Sequence, residues 1–322
     1  MIAEEHIEPY YYFRIKSTEN EATAENGRFL FNQTYYLRHQ CDLPLLSFEL
    51  WNAHLSQTTA FVHFSIHHTQ AVSPLRATFG GIEVASTLAP ELLDTFLEYM
   101  HVHLAARHIT TIQLINHPFA YDTQAAQQVT AALLRYGYRI SCADVNYHIA
   151  ITQDPIELRM HASERRRLRK CRQAGFVFAE ELTPDIAAIH AFIAGARLRK
   201  GFPMSLSLEA FRQLFANMPD IYRVFTIRKG DTLAALTVTV HINEHILYNF
   251  YPADNEAFLE YSPTVMLTVE LYNLARKEGY TLLDLGIATA KGKPNYGLMR
   301  FKKNLGGDAS LRLSFFKTVS QV

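Results

Sequence analysis

The order of elements written into this chain predicts an α+β fold laid down twice. Three observations lead there. Stretches of alternating apolar residues mark strands in both halves, and helices with one apolar face follow them. The order strand, strand, helix, strand, helix, strand occurs in each half. The two halves are not visibly alike in sequence, so the repeat is one of pattern. The expected domains are residues 1–152 and 153–322.

In the first half, Ala60–His68 and Leu75–Val84 alternate like strands. A helix is expected from Glu91 to Arg107, because Leu92, Leu93, Phe96, Leu97, Met100 and Leu104 fall on one face. Pro90 suits its first position, where a missing N–H costs nothing. A strand at Thr110–Ile115, a helix at about Thr123–Tyr136 ended by Gly137, and strand-like residues Tyr138–Ile151 complete the half. Gly80-Gly81 reads as a strand bulge.

Asp154–Gly175 joins the halves as a single expected helix containing the basic run Arg165 to Arg172. A hairpin follows, Tyr222–Arg228 and Leu233–Ile242 about the turn Lys229-Gly230-Asp231. Next come a strand at Ile246–Tyr251 and a helix at Pro263–Glu278, with Ser262 as N-cap and Gly279 at the end. A strand from Thr281 to Leu285 ends at Gly286, a polar loop carries Lys291 and Lys293, and a short helix closes at Gly306-Gly307 before the last strand.

The 322 residues can bury a sizeable core, and 48% hydrophobic with 19% charged residues is the balance of a folded chain. A formal net charge of zero gives no global attraction to nucleic acid or membrane. Cys41, Cys142 and Cys171 fit no zinc spacing, and an odd count suits a reducing, cytoplasmic setting. Met1–Tyr12 is acidic and then aromatic, unlike a secretory signal, and no apolar run reaches the ~18 residues of a membrane span. Fifteen histidines raise a metal reading. His67-His68 point to opposite faces of a strand, His101 and His103 cannot chelate together on a helix, and only His241 and His245 could pair, across a turn. No metal is expected.

The stretch Thr281–Lys317 names a chemistry. It contains Asp284-Leu285-Gly286 and then Gly297-Leu298-Met299-Arg300-Phe301-Lys302-Lys303-Asn304-Leu305-Gly306-Gly307. This resembles the C-terminal signature of FemABX-like acyltransferases, a branch of the GNAT (Gcn5-related N-acetyltransferase) superfamily. The match is specific from about Arg159 to Gly307 and weak across the first half. The resemblance implies tandem GNAT-like domains, each a mixed, mainly antiparallel sheet flanked by helices. It also implies N-acyl transfer from a thioester or ester donor to a primary amine. FemABX-like enzymes add amino acids to a peptidoglycan precursor, so an acceptor of that kind, or another small-molecule amine, is implied.

The resemblance assigns roles to particular residues. Lys302 would stabilise the oxyanion of the tetrahedral intermediate, and Tyr296 or water would protonate the leaving group. Tyr248, Asn249 and Tyr251 lie on the strand that splays from its neighbour in GNAT folds and would meet substrate. Ser262 and Thr264 open the helix whose N-terminus anchors pyrophosphate. Here the chain departs from users of coenzyme A. Asp254 to Pro263 holds no glycine for a close backbone approach and carries Asp254, Glu256 and Glu260. Acyl-CoA and aminoacyl-tRNA therefore both stand as donors. Arg165, Arg169 and Arg172 share a helical face that could meet tRNA or a nucleotide-linked ligand, unless acids such as Glu180 and Glu181 hold it. The alternative to an enzyme is a catalytically silent GNAT-fold module that binds a nucleotide-linked or RNA ligand.

Overall fold

The computed structural model describes residues 2–8, 10–18, 28–40 and 43–319. Met1 and Cys41 lie outside the described residues. The chain forms two compact units. One is Met1–Val145 with Lys291–Lys293 and Ser310–Val322; the other is Asn146–Ala290 with Pro294–Ala309.

The first unit contains β1 (Ile2–Glu8), β2 (Tyr11–Thr18), α1 (Thr34–Gln40), β3 (Leu45–Asn52), β4 (Gln57–His67), β5 (Gln70–Ser73), β6 (Glu83–Val84), α2 (Pro90–Ala105), β7 (Thr111–Ile115), α3 (Thr123–Arg135) and most of β8 (Arg139–Ala150). β1 to β5 follow one another as antiparallel neighbours, and β5 then runs parallel to β7. The periodicities explain the core. Phe48, Leu50, Val62 and Phe64 share a sheet face and pack with Phe96, Leu97 and Met100 of α2 and Val129 and Leu133 of α3. Asp122 caps α3 by accepting from the Ala125 N–H at 2.9 Å.

Two readings of this half change. Leu75–Val84 is not one strand; its strand is reduced to Glu83–Val84, which pairs with Phe61 and Ala60 of β4. Gly80-Gly81 is not a strand bulge. Gly80 makes a parallel bridge to Asn116, and Gly81 sits at φ +77°, where an added Cβ would lie 2.0 Å from the Asn116 Oδ1.

The second unit continues with α4 (Ala162–Gln173), β9 (Val177–Glu180), α5 (Ile186–Arg199), α6 (Leu208–Asn217), β10 (Tyr222–Lys229), β11 (Thr232–Asn243), β12 (Ile246–Asn249), β13 (Ala253–Asp254), α7 (Pro263–Lys277), β14 (Leu282–Ile287), β15 (Thr289–Ala290), β16 (Lys293–Pro294) and α8 (Tyr296–Asn304). The last strand, β17 (Asp308–Thr318), belongs from Ser310 onward to the first unit, where it pairs antiparallel with β7. Residues 146–150 of β8 pair antiparallel with β14, and β14 runs parallel to β12 across the α7 crossover. β11, β10 and β9 follow antiparallel. The result is a mixed, mainly antiparallel sheet with flanking helices. Val265, Val269, Leu271, Tyr272 and Ala275 of α7 are buried.

The expected helix over Asp154–Gly175 is broken. Ile156–Leu158 forms a 3₁₀ turn, and α4 starts afresh behind His161, whose side chain accepts from the Ser163 N–H. β9, α5 and α6 were not foreseen. The apolar residues of α5 run round the whole helix, so no one-sided stripe marks it.

Candidate active site

β12 and β14 pair only as far as Tyr248 and Asp284. Beyond that level β12 stays with β11 and ends at Asn249, while β14 runs on beside β8 to Ile287. The two parallel strands therefore part along the strand that the resemblance marked as splayed. The parallel pair of the first unit, β5 and β7, parts after Ser73 and Leu114. There the chain fills its own gap: the Gly80 N–H donates to the Ile115 carbonyl at 2.8 Å and the Gly81 N–H to the Ser73 Oγ at 3.1 Å.

In the second unit a lysine meets the carbonyls of β14 beyond the level at which the two strands part. Lys302 is 7% exposed, and its Nζ donates to the carbonyls of Gly286 and Ile287, each at 2.9 Å. In a regular strand successive carbonyls point to opposite sides, so one ammonium cannot reach both. Here β14 shifts register against β8 between Asp284 and Gly286, and Gly286 takes φ +74°. A bulge with a left-handed glycine re-aims the backbone and lets the two carbonyls converge. A Cβ at Gly286 would stand 3.2 Å from the Tyr248 hydroxyl oxygen. Tyr248 and Lys302, two of the expected site residues, thus meet at one glycine.

The rest of the signature serves the same lysine. The Asp284 Oδ1 accepts from the Gly286 N–H at 2.7 Å and from the Asn146 Nδ2 at 2.8 Å. After Leu305 the Gly307 N–H donates to the Lys302 carbonyl at 3.1 Å and the Gly306 N–H to the Lys303 carbonyl at 2.9 Å. That is the Schellman stop of α8, with Gly306 at φ +92°. Burial brings the Lys302 ammonium down from 10.5 to about 7, against the opposing pull of the Asp284 charge.

The other expected site residues scatter. Asn249 faces away from Tyr248, as the pleat requires, and its Oδ1 accepts from the buried Thr237 hydroxyl at 2.6 Å. Tyr251 is buried, its hydroxyl bonded to Ser205 and its ring 5.5 Å beneath the Arg197 guanidinium. Tyr296 is 72% exposed at the start of α8, six residues before Lys302 and so about 120° away round the helix. Tyr296 and Lys302 do not form one constellation.

At the α7 N-terminus, Ser262 occupies the N-cap position at φ +52°, but its side chain makes no cap bond there. Pro263 has no N–H, and the Val265 N–H already donates to the Ser262 carbonyl at 2.9 Å. Little is left beside Thr264 for a phosphate. The three nearby carboxylates are not loose charge. Asp254 meets Lys200 at 3.0 Å and Arg199 at 3.3 Å, Glu256 meets Arg199 at 3.8 Å, and Glu260 meets Lys170 at 3.1 Å.

The basic face of α4 is largely committed to the fold. Arg165 donates to the carbonyls of Met160 at 3.0 Å and Glu157 at 3.3 Å, and Arg172 bridges Glu157 and Glu270. Arg169 stays exposed. Glu180 and Glu181 are not the neutralising acids; they pair with Arg223 and Arg228. His241 bonds to the Tyr280 hydroxyl at 2.8 Å instead of pairing with His245. Among the described residues no three His, Cys, Asp or Glu side chains gather as a metal site, and no helix is long and apolar enough to cross a membrane.

Residues 159–303 match the family described as acetyltransferase (GNAT) domain. Among solved structures the fold is similar to FemX, with a TM-score of 0.68 and 12% identity over 92% of this chain and 94% of that one. It is also similar to the C-terminal domain of a putative lysylphosphatidylglycerol synthetase from Agrobacterium fabrum (TM-score 0.52, 15% identity, 80% of this chain and 81% of that one). L-PGS from Bacillus licheniformis is similar too (TM-score 0.51, 13% identity, again 80% and 81%). No curated protein gives a significant match. Residues 159–303 thus match a GNAT acetyltransferase domain, and the fold of the chain is similar to that of FemX.

Proposed function

We propose that this protein is an N-acyltransferase that moves an acyl or aminoacyl group from a thioester or ester donor to a primary amine. The observation that carries the reading is Lys302, a desolvated cation held on two carbonyls where β12 and β14 part. The neutral amine attacks the donor carbonyl and a tetrahedral oxyanion forms. An ammonium has three donors, and two of those on Lys302 are engaged, so the third is available to that oxygen. Preorganised donors of this kind contribute about 2.7–4 kcal/mol each to the transition state. Collapse of the intermediate expels the thiolate or alkoxide, which takes up the proton released by the amine, through water. Tyr248, over Gly286, forms part of the wall.

The α7 N-terminus favours an ester donor such as aminoacyl-tRNA over acyl-CoA, because its glycine-free turn and engaged Val265 N–H make a poor pyrophosphate cradle. The resemblance to FemABX-like enzymes supports a peptidoglycan-precursor-like amine as acceptor. Thermal shifts with coenzyme A, acetyl-coenzyme A, a long-chain acyl-coenzyme A and bulk tRNA test the donor. A ligand at about a hundredfold its Kd adds ~2.7 kcal/mol of stability. An upward shift with tRNA alone supports the ester donor; a shift with a coenzyme-A species overturns that preference.

A second reading has one observation in its favour: the same two hydrogen bonds make Lys302 a strut for the β14 bulge. A silent module that binds a nucleotide-linked or RNA ligand needs no more than that. The two readings part at Lys302→Ala, which removes turnover in an enzyme and has none to remove in a module.

A further inference from the structure

We infer that Asp284, held by Asn146, is a positioning residue that fixes both the place and the charge of Lys302. Its activity arm rests on the acyltransfer reading; its structural arm does not.

The place follows from the backbone. Lys302 is held by two successive carbonyls, and these converge only because the strand bulges at Gly286. The Gly286 N–H at the bulge is satisfied by the Asp284 Oδ1 at 2.7 Å. That oxygen is fixed in turn by the Asn146 Nδ2 at 2.8 Å, from the neighbouring strand β8. Asp284, Asn146 and Gly286 are all buried. An apolar residue at 284 would leave a buried N–H unpaired and release the bulge.

The charge follows from the burial. Asp284 is 2% exposed, and a carboxylate at that depth is stable only with hydrogen bonds and a cation. Among the described residues Asp284 is the charge that acts on Lys302, and it favours the ammonium. The titratable cross-strand neighbours of Asp284 are His148 on β8 and Tyr248 on β12. Burial holds His148 below its ordinary value, against the opposing pull of Asp284 and Asp308 and with the Arg159 charge adding to the fall. Removing the Asp284 charge while keeping its shape leaves the lysine in place and takes away its proton.

Asp284→Asn tests this with a readout that needs no turnover. The amides of Ile287 and Ala288 follow the two carbonyls that accept from Lys302, so their ¹⁵N shifts report its titration. The midpoint is expected to fall by about one pH unit or more, which at pH 7 takes the lysine from about half charged to about one-tenth charged, a roughly fivefold or greater loss of ammonium. Turnover at neutral pH falls by about the same factor and recovers partly as the pH is lowered. An unmoved midpoint, or activity lost equally at every pH, overturns the inference. If Asp284→Asn does not fold, Asn146→Ala keeps the carboxylate and removes its support. Turnover and Ile287 shifts identical to wild type in that variant would also overturn it. A midpoint that moves in a protein with no transferase activity upholds the electrostatic role and refutes the acyltransfer reading instead.

Discussion

Replacing Lys302 by methionine should change the pH dependence of stability, and the structure sets the size of the change. Burial lowers the lysine from 10.5 to about 7. At about 1.4 kcal/mol per pKa unit, the fold withholds roughly 5 kcal/mol from the charged form. Below about pH 7 the ammonium is present in both folded and unfolded chains, and the folded protein carries the full penalty. From about pH 7 to 10.5 the unfolded chain binds a proton that the folded chain does not. Stability therefore rises with pH across this window and levels off above it. In Lys302→Met nothing titrates at that position, so groups not coupled to Lys302 cancel in the difference between the two proteins. The wild type should gain about 2.5 kcal/mol on the variant between about pH 7 and pH 9. The absolute offset also contains the two lost hydrogen bonds, each worth about 1.5–3 kcal/mol to a charged donor. The slope, not the offset, carries the test. Urea unfolding of both proteins at intervals from about pH 6 to pH 9 measures it. A difference that stays flat within about 0.5 kcal/mol would show that Lys302 is not desolvated and refute the reasoning.

Three further outcomes follow from the same geometry. Gly286→Ala puts a Cβ at φ +74° and 3.2 Å from the Tyr248 hydroxyl, so it should cost about 1–3 kcal/mol in urea unfolding and remove most turnover. Tyr296→Phe removes only an exposed hydroxyl on another face of α8; stability should stay within about 0.5 kcal/mol and turnover within about twofold. In a pH–rate profile, the contribution of oxyanion stabilisation should decline as pH rises through about 7, because the ammonium is the form that donates a charge-assisted bond.

Much of the second unit was legible in the sequence because its signals are local. Pro263 and Gly279 bound α7, and Gly306-Gly307 stops α8 on the carbonyl of Lys302. The partners of those residues were not legible. Asn146 lies 138 positions from Asp284, and nothing in the run around it marks it as a brace. Asp284 does leave a trace, a carboxylate between Leu283 and Leu285 in an otherwise apolar strand, which signals a buried charge with a purpose. Sequence alone placed Gly286 at the end of the strand, whereas β14 runs through it, because a bulge and a turn both draw on glycine at positive φ. Tyr296 and Lys302 looked like neighbours because they share a helix; six positions turn them apart. Arg165 and Arg172 looked free because the groups that hold them, Met160, Glu157 and Glu270, are recognisable only in the fold.

The most direct test of the account is turnover of wild type and Lys302→Ala, with acyl-coenzyme-A and aminoacyl-tRNA donors and a panel of primary amines. The account predicts transfer by the wild type and a loss of about 10²–10³-fold in the variant, with the fold and donor affinity retained. Equal transfer by both proteins, or donor binding with no transfer by the wild type, would contradict it.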